Sequence, residues 1–305
     1  MGFYPGAGYN GDEMTYKSIP SSNIVDISPS AIRSPKTFAM GGSLKTLTQL
    51  VKSLFANGEQ GFFYDPNDLS TMYQDDAGTV PVTGVGQLVW HILDKSGNNN
   101  HAFATSSATR PILRKNAVTG ANYLEFDGSD DFLMTNNIDF TATDKVSLFA
   151  GVQVAGSADA ILLEFSRDAN AYNRSFYLTA PEFNNAFGIG YYSISYGKKD
   201  MNLLQTAYSS QGTYPDNAVL TVTHDISGSL STIRRNGVKG VDGTADKGTG
   251  NFGNYPLYIG RRGGTSLPFN GHIYGLIGIG RLTTDSETIA LEKAIAKNVG
   301  VTLNV

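Results

Sequence analysis

The acidic segment that begins at Glu125 has the spacing that carbohydrate chemistry requires. In an extended strand, Glu125 and Asp127 lie two residues apart and therefore point to the same face. Two carboxyl groups about 5–5.5 Å apart supply the acid and the nucleophile of a retaining glycoside hydrolase. However, the Gly-Ser pair after Asp127 predicts a turn, which would split the carboxylates across a hairpin. The favoured interpretation is that Asp127 and Asp130 accept hydrogen bonds from turn amides, and a hydrolase that uses Glu125 and Asp127 remains the alternative.

The same acidic segment offers oxygen ligands for a metal ion. Asp127, Asp130 and Asp131 are close in sequence, and calcium prefers clustered carboxylate and carbonyl oxygens. The spacing is not that of an EF-hand loop. Calcium is the one cofactor that the sequence indicates, and solvated acidic turns are the alternative.

A tyrosine-rich segment contains the candidates for sugar recognition, which commonly uses aromatic faces beside planar polar groups. Tyr191 and Tyr192 are adjacent, so in a strand one points inward and the other outward. About half of these aromatic residues at most could therefore form a sugar platform, and the alternative is that they belong to the core. The glycan-binding candidates are Tyr172, Tyr177, Tyr191, Tyr192 and Tyr196, with Asn173, Arg174 and Asn184 nearby.

Other chemistry finds little support in the sequence. The four histidines, including His224 and His272, form no zinc-binding pair, and there is no nucleophile elbow or Walker loop. The absence of cysteine excludes disulfides and thiolate catalysis. A net charge of -4 argues against a nucleic-acid partner. No signal peptide and no run of ~20 apolar residues is visible, so we expect a soluble protein that does not insert into a membrane.

The elements that would position these residues are mainly strands. Gly is abundant, with 35 residues, and charged residues make up only 16% of the 305-residue chain, which is typical of many short strands joined by tight turns. Residues 88–93 and 146–154 read as strands, and 219–222 is expected to pair with 232–235. Asn236-Gly237 then predicts a hairpin with a type I′ turn. The sequence therefore predicts an all-β fold, a two-sheet antiparallel jelly-roll sandwich.

Two short helices are expected to flank the sandwich. Apolar residues at helical spacing predict one helix in residues 43–57, with Ser43 as its N-cap, packed at the base of the sandwich. A second helix is predicted over residues 284–298, with Thr284 or Asp285 as its cap and Gly300 as its end.

Residues 1–42 differ from the rest of the chain because they combine apolar residues with Gly, Pro and Ser and show no regular periodicity. Such a segment cannot bury its own apolar groups, so we expect an extended arm that orders against a partner surface; a mobile terminus is the alternative. The attachment candidates are Phe3, Tyr4, Tyr9, Tyr16, Ile24 and Ile27. The predicted organisation is thus an arm (1–42), a helix and linker (43–57) and one sandwich domain (58–305).

Three motifs give this domain a family resemblance: residues 61–70 (GFFYDPNDLS), 93–102 (LDKSGNNNHA) and 123–132 (YLEFDGSDDF). In this order, and followed by the Asn236-Gly237 hairpin, they resemble the concanavalin A-like and laminin-G-like jelly rolls encoded by tailed bacteriophages. Glycosidases of this fold use a Glu-x-Asp-x-x-Glu strand motif, whereas this chain has Asp130 in the third position. The departure places a hydrolytic role in doubt.

The resemblance implies a non-enzymatic virion structural protein, in a tail fibre, a collar or a capsid decoration. It implies attachment to other virion proteins through residues 1–42, assembly as a homo-oligomer and binding of a host-surface glycan. A polysaccharide-degrading hydrolase and a free carbohydrate-binding module remain the alternatives, because fold alone does not decide function.

Overall fold

The computed structural model describes residues 45–168, 173–184, 189–196, 204–210 and 213–305, and for 183–184, 189–196, 204–208 and 210 it describes the backbone alone. The described elements, in chain order, are α1 (Leu47–Leu54), β1 (Gly61–Tyr64), β2 (Met72–Tyr73), β3 (His91–Ile92), β4 (Ala102–Phe103), β5 (Ile112–Lys115), β6 (Asn122–Asp127), β7 (Leu133–Thr135), β8 (Ile138–Asp139), β9 (Lys145–Val154), β10 (Ile161–Phe165), β11 (Phe176–Asn184), β12 (Ile189–Tyr196), β13 (Leu204–Ser210), β14 (Asp216–Asp225), β15 (Leu230–Arg235), β16 (Val238–Lys239), β17 (Asn254–Tyr255), β18 (Leu257–Ile259), β19 (Asn270–Ile279) and α2 (Asp285–Val299).

Two antiparallel sheets contain almost all of these strands. Sheet 1 has the order β16-β15-β14-β9-β19-β6-β5, with β1 also paired to β19. Sheet 2 has the order β13-β12-β11-β10-β18-β7-β4-β3-β2, and β17 and β8 form a separate pair. Strands β6 and β1 share one edge of β19, because β6 pairs with its first half and β1 with its second. This topology confirms the predicted all-β, two-sheet antiparallel sandwich.

The hydrophobic core lies between the two sheets. Alternate residues of the sheet 1 strands, such as Leu148 and Val152 of β9, are buried against Phe165 and Phe176 of sheet 2. The aromatic rings stack within this layer, with the Phe165 and Phe176 centroids 5.1 Å apart. Burial of large apolar side chains is the main stabilising contribution to such a sandwich.

Both helices pack on the outer face of sheet 1. A second apolar cluster there joins Val51 and Leu54 of α1, Leu291 and Ile295 of α2, and Phe149 of β9. The helix α1 therefore covers a sheet face, and the expectation that it packs at the base of the sandwich is wrong. Sheet 1 is consequently buried on both faces beneath the helices, which explains why β9 is buried at almost every position.

The helix ends follow local capping. Thr46, and not Ser43, is the N-cap of α1, because its hydroxyl accepts from the Gln49 amide while the Gln49 side chain accepts from the Thr46 amide. The second helix agrees with the sequence to within one residue. Thr284 caps it, and Gly300 follows it in the left-handed conformation with φ 81°.

The strongest predicted hairpin is also present. Residues 220–225 of β14 pair with 230–235 of β15, as expected, and β15 turns into β16 through Asn236 and Gly237. Both turn residues have positive φ, 50° and 82°, as a type I′ turn requires. The predicted strand at residues 88–93 is shorter, since only His91–Ile92 pairs as a strand while the Val89 amide donates to Pro111 O outside the regular ladder.

The turn after Asp127 is not a hairpin, contrary to the sequence-based prediction. It connects β6 of sheet 1 to β7 of sheet 2, and so forms a corner between the two layers. The physical reason is that β5 and β19 already occupy both edges of β6. Gly128, with φ 75°, sits at this corner, where a Cβ atom would lie 2.7 Å from Asn270 Cβ.

The loop at residues 94–101, one of the three resemblance motifs, holds β1 in place. The Asp94 carboxylate accepts hydrogen bonds from the amides of Phe63, Ser96 and Asn100 at 2.8–3.0 Å and from the Ser96 hydroxyl at 2.7 Å. Asn98 and Asn100 donate their side-chain amides to Gly61 O. Because these bonds satisfy backbone groups that would otherwise be buried and unpaired, the motif has a structural role.

The predicted arm, with Phe3, Tyr4, Tyr9, Tyr16, Ile24 and Ile27, lies outside the described residues, so its role stays a prediction. Within the described part of the chain, neither helix is both long and apolar enough to cross a bilayer.

A buried ion pair attaches α2 to sheet 1 and generates a stability prediction. Glu292 is fully buried, and its two carboxylate oxygens accept from Arg234 Nε at 2.7 Å and from Arg234 Nη2 at 3.1 Å. We expect Glu292→Ala to reduce the free energy of unfolding by about 3–5 kcal/mol, because an uncompensated guanidinium remains beneath the helix. Lys239→Ala, in an exposed pair with Asp242, is the control and should cost less than about 1 kcal/mol. Equal losses in urea titrations of the two variants would contradict this account.

Candidate functional site

A groove of about 440 Å³ opens on the outer face of sheet 1, at the side that the helices leave uncovered. Its volume lies in the usual range of small-molecule sites, ~300–1,000 Å³. The lining combines strands β5, β6 and β19 with the corner after β6. The residues are Ile112, Arg114, Glu125, Phe126, Asp127, Asp131, Ala155, Asn270, Gly271 and His272.

Strand register places the polar groups of this groove together. Glu125 of β6 is directly opposite His272 of β19, and Asp127 is opposite Asn270. On its other side, Glu125 is opposite Ile112 of β5. Because side chains alternate along a strand, the outward residues of β6 line the groove while Leu124 and its neighbours fill the core.

An ion pair crosses the groove wall. Arg114 Nε lies 2.6 Å from Glu125 Oε2, and both side chains are partly exposed, by 43% and 36%. The Glu125 carboxylate thus accepts a hydrogen bond from the Arg114 guanidinium and forms an ion pair with it. The structure gives Glu125 the geometry of a group that orients Arg114.

An aromatic stack borders the ion pair. The Tyr123 ring lies over the His272 imidazole, with centroids 4.0 Å apart and planes at 17°, and the Tyr274 ring is 5.1 Å from that of Tyr123. Burial lowers the pKa of His272, which keeps the imidazole neutral near pH 7. A neutral imidazole offers one donor and one acceptor. Its Nδ1 atom is buried and finds no hydrogen-bond partner among the residues that the structure describes.

Two carboxyl groups of the groove lining, those of Asp127 and Asp131, form a cluster with Asp130. Asp127, Asp130 and Asp131 each place an oxygen within 4.8 Å of the others. Asp127 Oδ1 accepts from the Ser129 amide at 2.8 Å and the Asp130 amide at 3.3 Å, as the turn interpretation predicts for Asp127. Asp131, which is 7% exposed, accepts from the Asp127 amide at 3.0 Å. Burial raises the pKa of Asp131 to about 7, and the carboxylates of Asp127, Asp130 and Glu125 act in the same direction.

This carboxylate cluster has the oxygen donors that a calcium ion takes, and the structure brings the three predicted ligands within reach of one ion. Acidic groups at a turn also occur without an ion. Calcium at this site therefore stays a prediction.

The tyrosine candidates lie away from the groove, in or next to sheet 2. Tyr177 is half-buried on β11, opposite Glu164 of β10. Asn173 is exposed, and Arg174 is half-buried with φ 57°. Tyr172 lies outside the described residues. The remaining candidates belong to strands whose backbone alone is described: Tyr191, Tyr192 and Tyr196 in β12 and Asn184 in β11. A shared sugar platform of these residues stays a prediction.

The groove contains residues that sequence reasoning did not single out as a site. Arg114 and Asn270 were not candidates, nor was Tyr123, which stacks on the groove residue His272. His272 was considered only as an isolated histidine. Their one sequence signal is the alternation of apolar and polar residues in β6 and at the start of β19. That signal gives the face of each strand, but it does not tell which strands are neighbours.

Comparison with known proteins shows the fold. No protein-family model matches the sequence, and no curated protein sequence matches it significantly. Among solved structures, the chain is similar to the botulinum neurotoxin serotype D binding domain, with a TM-score of 0.53, 10% identity, and coverage of 80% of this chain and 52% of that one. A structure of the serotype D domain in complex with N-acetylneuraminic acid gives the same values. The serotype G binding domain matches with a TM-score of 0.50, 11% identity and coverage of 66% and 48%.

These similarities agree with the two-sheet β-sandwich, and at 10–11% identity they show the fold alone. The match spans about half the length of the neurotoxin binding domains.

The raised pKa of Asp131 generates a pH prediction. The folded-state pKa of about 7 is above the ordinary value of 3.8, so the folded protein binds this proton more tightly than the unfolded chain does. The contribution to stability is complete below about pH 4 and is lost as pH rises through about 7. Asp131→Asn, which keeps an oxygen for the Asp127 amide, should therefore gain stability relative to the wild type as pH increases. Urea titrations at about pH 5 and about pH 8 measure this difference.

The matched control is Asp76→Asn, which removes an exposed acid after β2. A difference between Asp131→Asn and the wild type that does not change with pH would show that Asp131 titrates as an ordinary aspartate.

Proposed function

We propose that this domain is a non-enzymatic carbohydrate-binding module that holds a glycan in the groove formed by β5, β6 and β19. The observation that carries the proposal is the composition of the groove: planar polar groups of Arg114, Glu125 and Asn270 lie beside the ring of His272, which is itself stacked on Tyr123. Sugars present hydroxyl groups at the ring edge and C–H groups on the ring faces, and such a lining matches both.

The neighbouring structures support this proposal at the level of fold. They are neurotoxin binding domains, and one is a complex with N-acetylneuraminic acid, so a sandwich of this shape is compatible with sugar binding. The residues proposed to bind the glycan are identified from the groove of this chain, and not from the similar neurotoxin structures.

The position of Glu125 supports binding without hydrolysis. A retaining hydrolase needs one carboxyl group that donates a proton and another that attacks the sugar. Here Glu125 Oε2 is held by Arg114, and the carboxylate of Asp127 accepts from two backbone amides at the corner. Both groups are thus committed to hydrogen bonds that position the lining.

We also propose, from the sequence resemblance, that the domain is displayed on a bacteriophage virion as a fibre, collar or decoration protein, with residues 1–42 as the attachment segment. Assembly as a homo-oligomer belongs to the same proposal, because virion proteins are commonly arranged with rotational symmetry. A glycan-binding module displayed in this way would contact the host surface.

Substitutions in the groove test the binding proposal. Ligands are first identified on a glycan array, and affinities are then measured by calorimetry. Arg114→Ala and Asn270→Ala should each weaken binding about tenfold or more, which corresponds to the loss of one or two hydrogen bonds to the sugar. The matched control is Lys115→Ala, since Lys115 is an exposed cation next to Arg114 on the same strand. Tyr177→Ala reports on the sheet 2 candidates.

Three results would count against the binding proposal. If Tyr177→Ala abolishes glycan binding on the array while the groove variants still bind, the binding site lies on sheet 2. If the wild type releases reducing sugar and Glu125→Gln does not, the domain is a hydrolase and not a binding module. A complete absence of binding would overturn the proposal.

Deletion of residues 1–42 tests the virion proposal. We expect the full chain to incorporate into particles and the shortened chain to remain free, because the predicted apolar attachment residues are then missing. Quantitative mass spectrometry of purified particles measures the copy number. Absence of the full chain from particles would contradict a virion role and would leave a free carbohydrate-binding module.

A further inference from the structure

We propose that the groove selects glycans without anionic groups, and that the carboxylates of Asp127, Asp130 and Asp131 enforce this selection. The inference rests on the proposed function and goes beyond it, because it specifies the chemical class of the ligand. Neutral and amino sugars are the expected ligands, and sialylated, sulfated or uronic-acid sugars are the excluded ones.

The charges that line the groove are unbalanced. Arg114 is the one cationic side chain in the lining, and Glu125 already neutralises it at 2.6 Å. The charge that remains belongs to Asp127 and Asp131, with Asp130 beside them. None of these three aspartates has an ion-pair partner within the part of the chain that the structure describes. An anionic ligand would thus enter a pocket whose net field repels it.

Hydrogen-bonding capacity leads to the same conclusion. An ionised carboxylate accepts hydrogen bonds and donates none. Sugar hydroxyl groups and ammonium groups can donate to Asp127, whereas a sugar carboxylate or sulfate brings further acceptors to a site that already has an excess. The groups in the lining that could donate to an anion are limited to the Asn270 amide, the His272 imidazole and the Arg114 guanidinium.

Burial strengthens this discrimination. Asp131 is 7% exposed, and it lies at the corner where sheets 1 and 2 meet, so little water remains there to screen a like charge. A ligand carboxylate next to Asp127 and Asp131 would therefore meet a repulsion that water screens only weakly.

Matched sugar pairs provide the experiment. The binding of lactose is compared with that of 3′-sialyllactose, and each neutral or amino-sugar ligand found on the array is compared with its sialylated, sulfated or uronic-acid counterpart. The measurements are made in EDTA, so that no divalent cation neutralises the carboxylates. We expect the anionic member of each pair to bind at least about tenfold more weakly.

A charge-removing variant then assigns the discrimination to these residues. The double substitution Asp127→Asn and Asp130→Asn keeps the oxygen that accepts from the corner amides and removes two charges. It should reduce the preference within each pair by about tenfold, while Asp76→Asn, an exposed acid outside the groove, should leave it unchanged.

The outcomes separate this inference from the proposed function. If anionic sugars bind as tightly as their neutral counterparts, the proposed charge selection is wrong. If Arg114→Ala also weakens their binding, the groove is still the binding site. A preference that the double variant does not change would also overturn the charge selection. Absence of binding by any sugar would overturn the proposed function itself, and this inference with it.

Discussion

The pairing of β19 is the constraint on which the rest of the molecule depends. One edge of this ten-residue strand pairs with β9, and the other edge is divided between β6 and β1. The division places Glu125 of β6 opposite His272 and Asp127 opposite Asn270. It leaves the second half of β19 to the outward residues Tyr274 and Ile277, which join the apolar layer under the helices. The same strand therefore fixes a polar groove at one end and a helix-covered surface at the other. A change of register by one residue would reverse both faces.

The corner after β6 combines a structural requirement with a chemical one. The chain must leave sheet 1 there because both edges of β6 are occupied, and the tight passage beside Asn270 requires Gly128. The turn amides of this corner are satisfied by aspartates, which brings several carboxylates into a small volume. Burial of Asp131, together with the neighbouring carboxylates, raises the pKa of Asp131 and opposes stability near neutral pH. The same arrangement makes this side of the groove acidic.

Local features of this protein were predictable from the sequence, and the groove was not. The Asn236-Gly237 turn and the α2 caps are set by residues adjacent in the chain, and the predicted hairpin and second helix are confirmed. The predicted sandwich is confirmed as well, because the number and spacing of the strands are visible in the sequence. The start of α1 was misplaced because two hydroxyl residues precede it and only Thr46 has Gln49 three positions later. The groove depends on the register of β6 with β19, and β19 follows β5 and β6 in the chain by more than 140 residues. Composition and periodicity contain no information on such pairings, and the corner was therefore predicted as a hairpin.

The alternation of side chains along β6 separates two kinds of selective pressure. Inward residues such as Leu124 and Phe126 must fill the core, whereas Glu125 and Asp127 point out to the groove and carry little of the packing. Substitutions at the outward positions can accumulate without loss of the scaffold, because each is isolated from the core by the backbone of the strand. Relatives of this domain could thus diversify the ligands they recognise while the sheet beneath stays the same. The outward side chains of β6 can therefore be changed while its backbone and inward residues stay in place, which makes this groove suitable for engineering new sugar specificities.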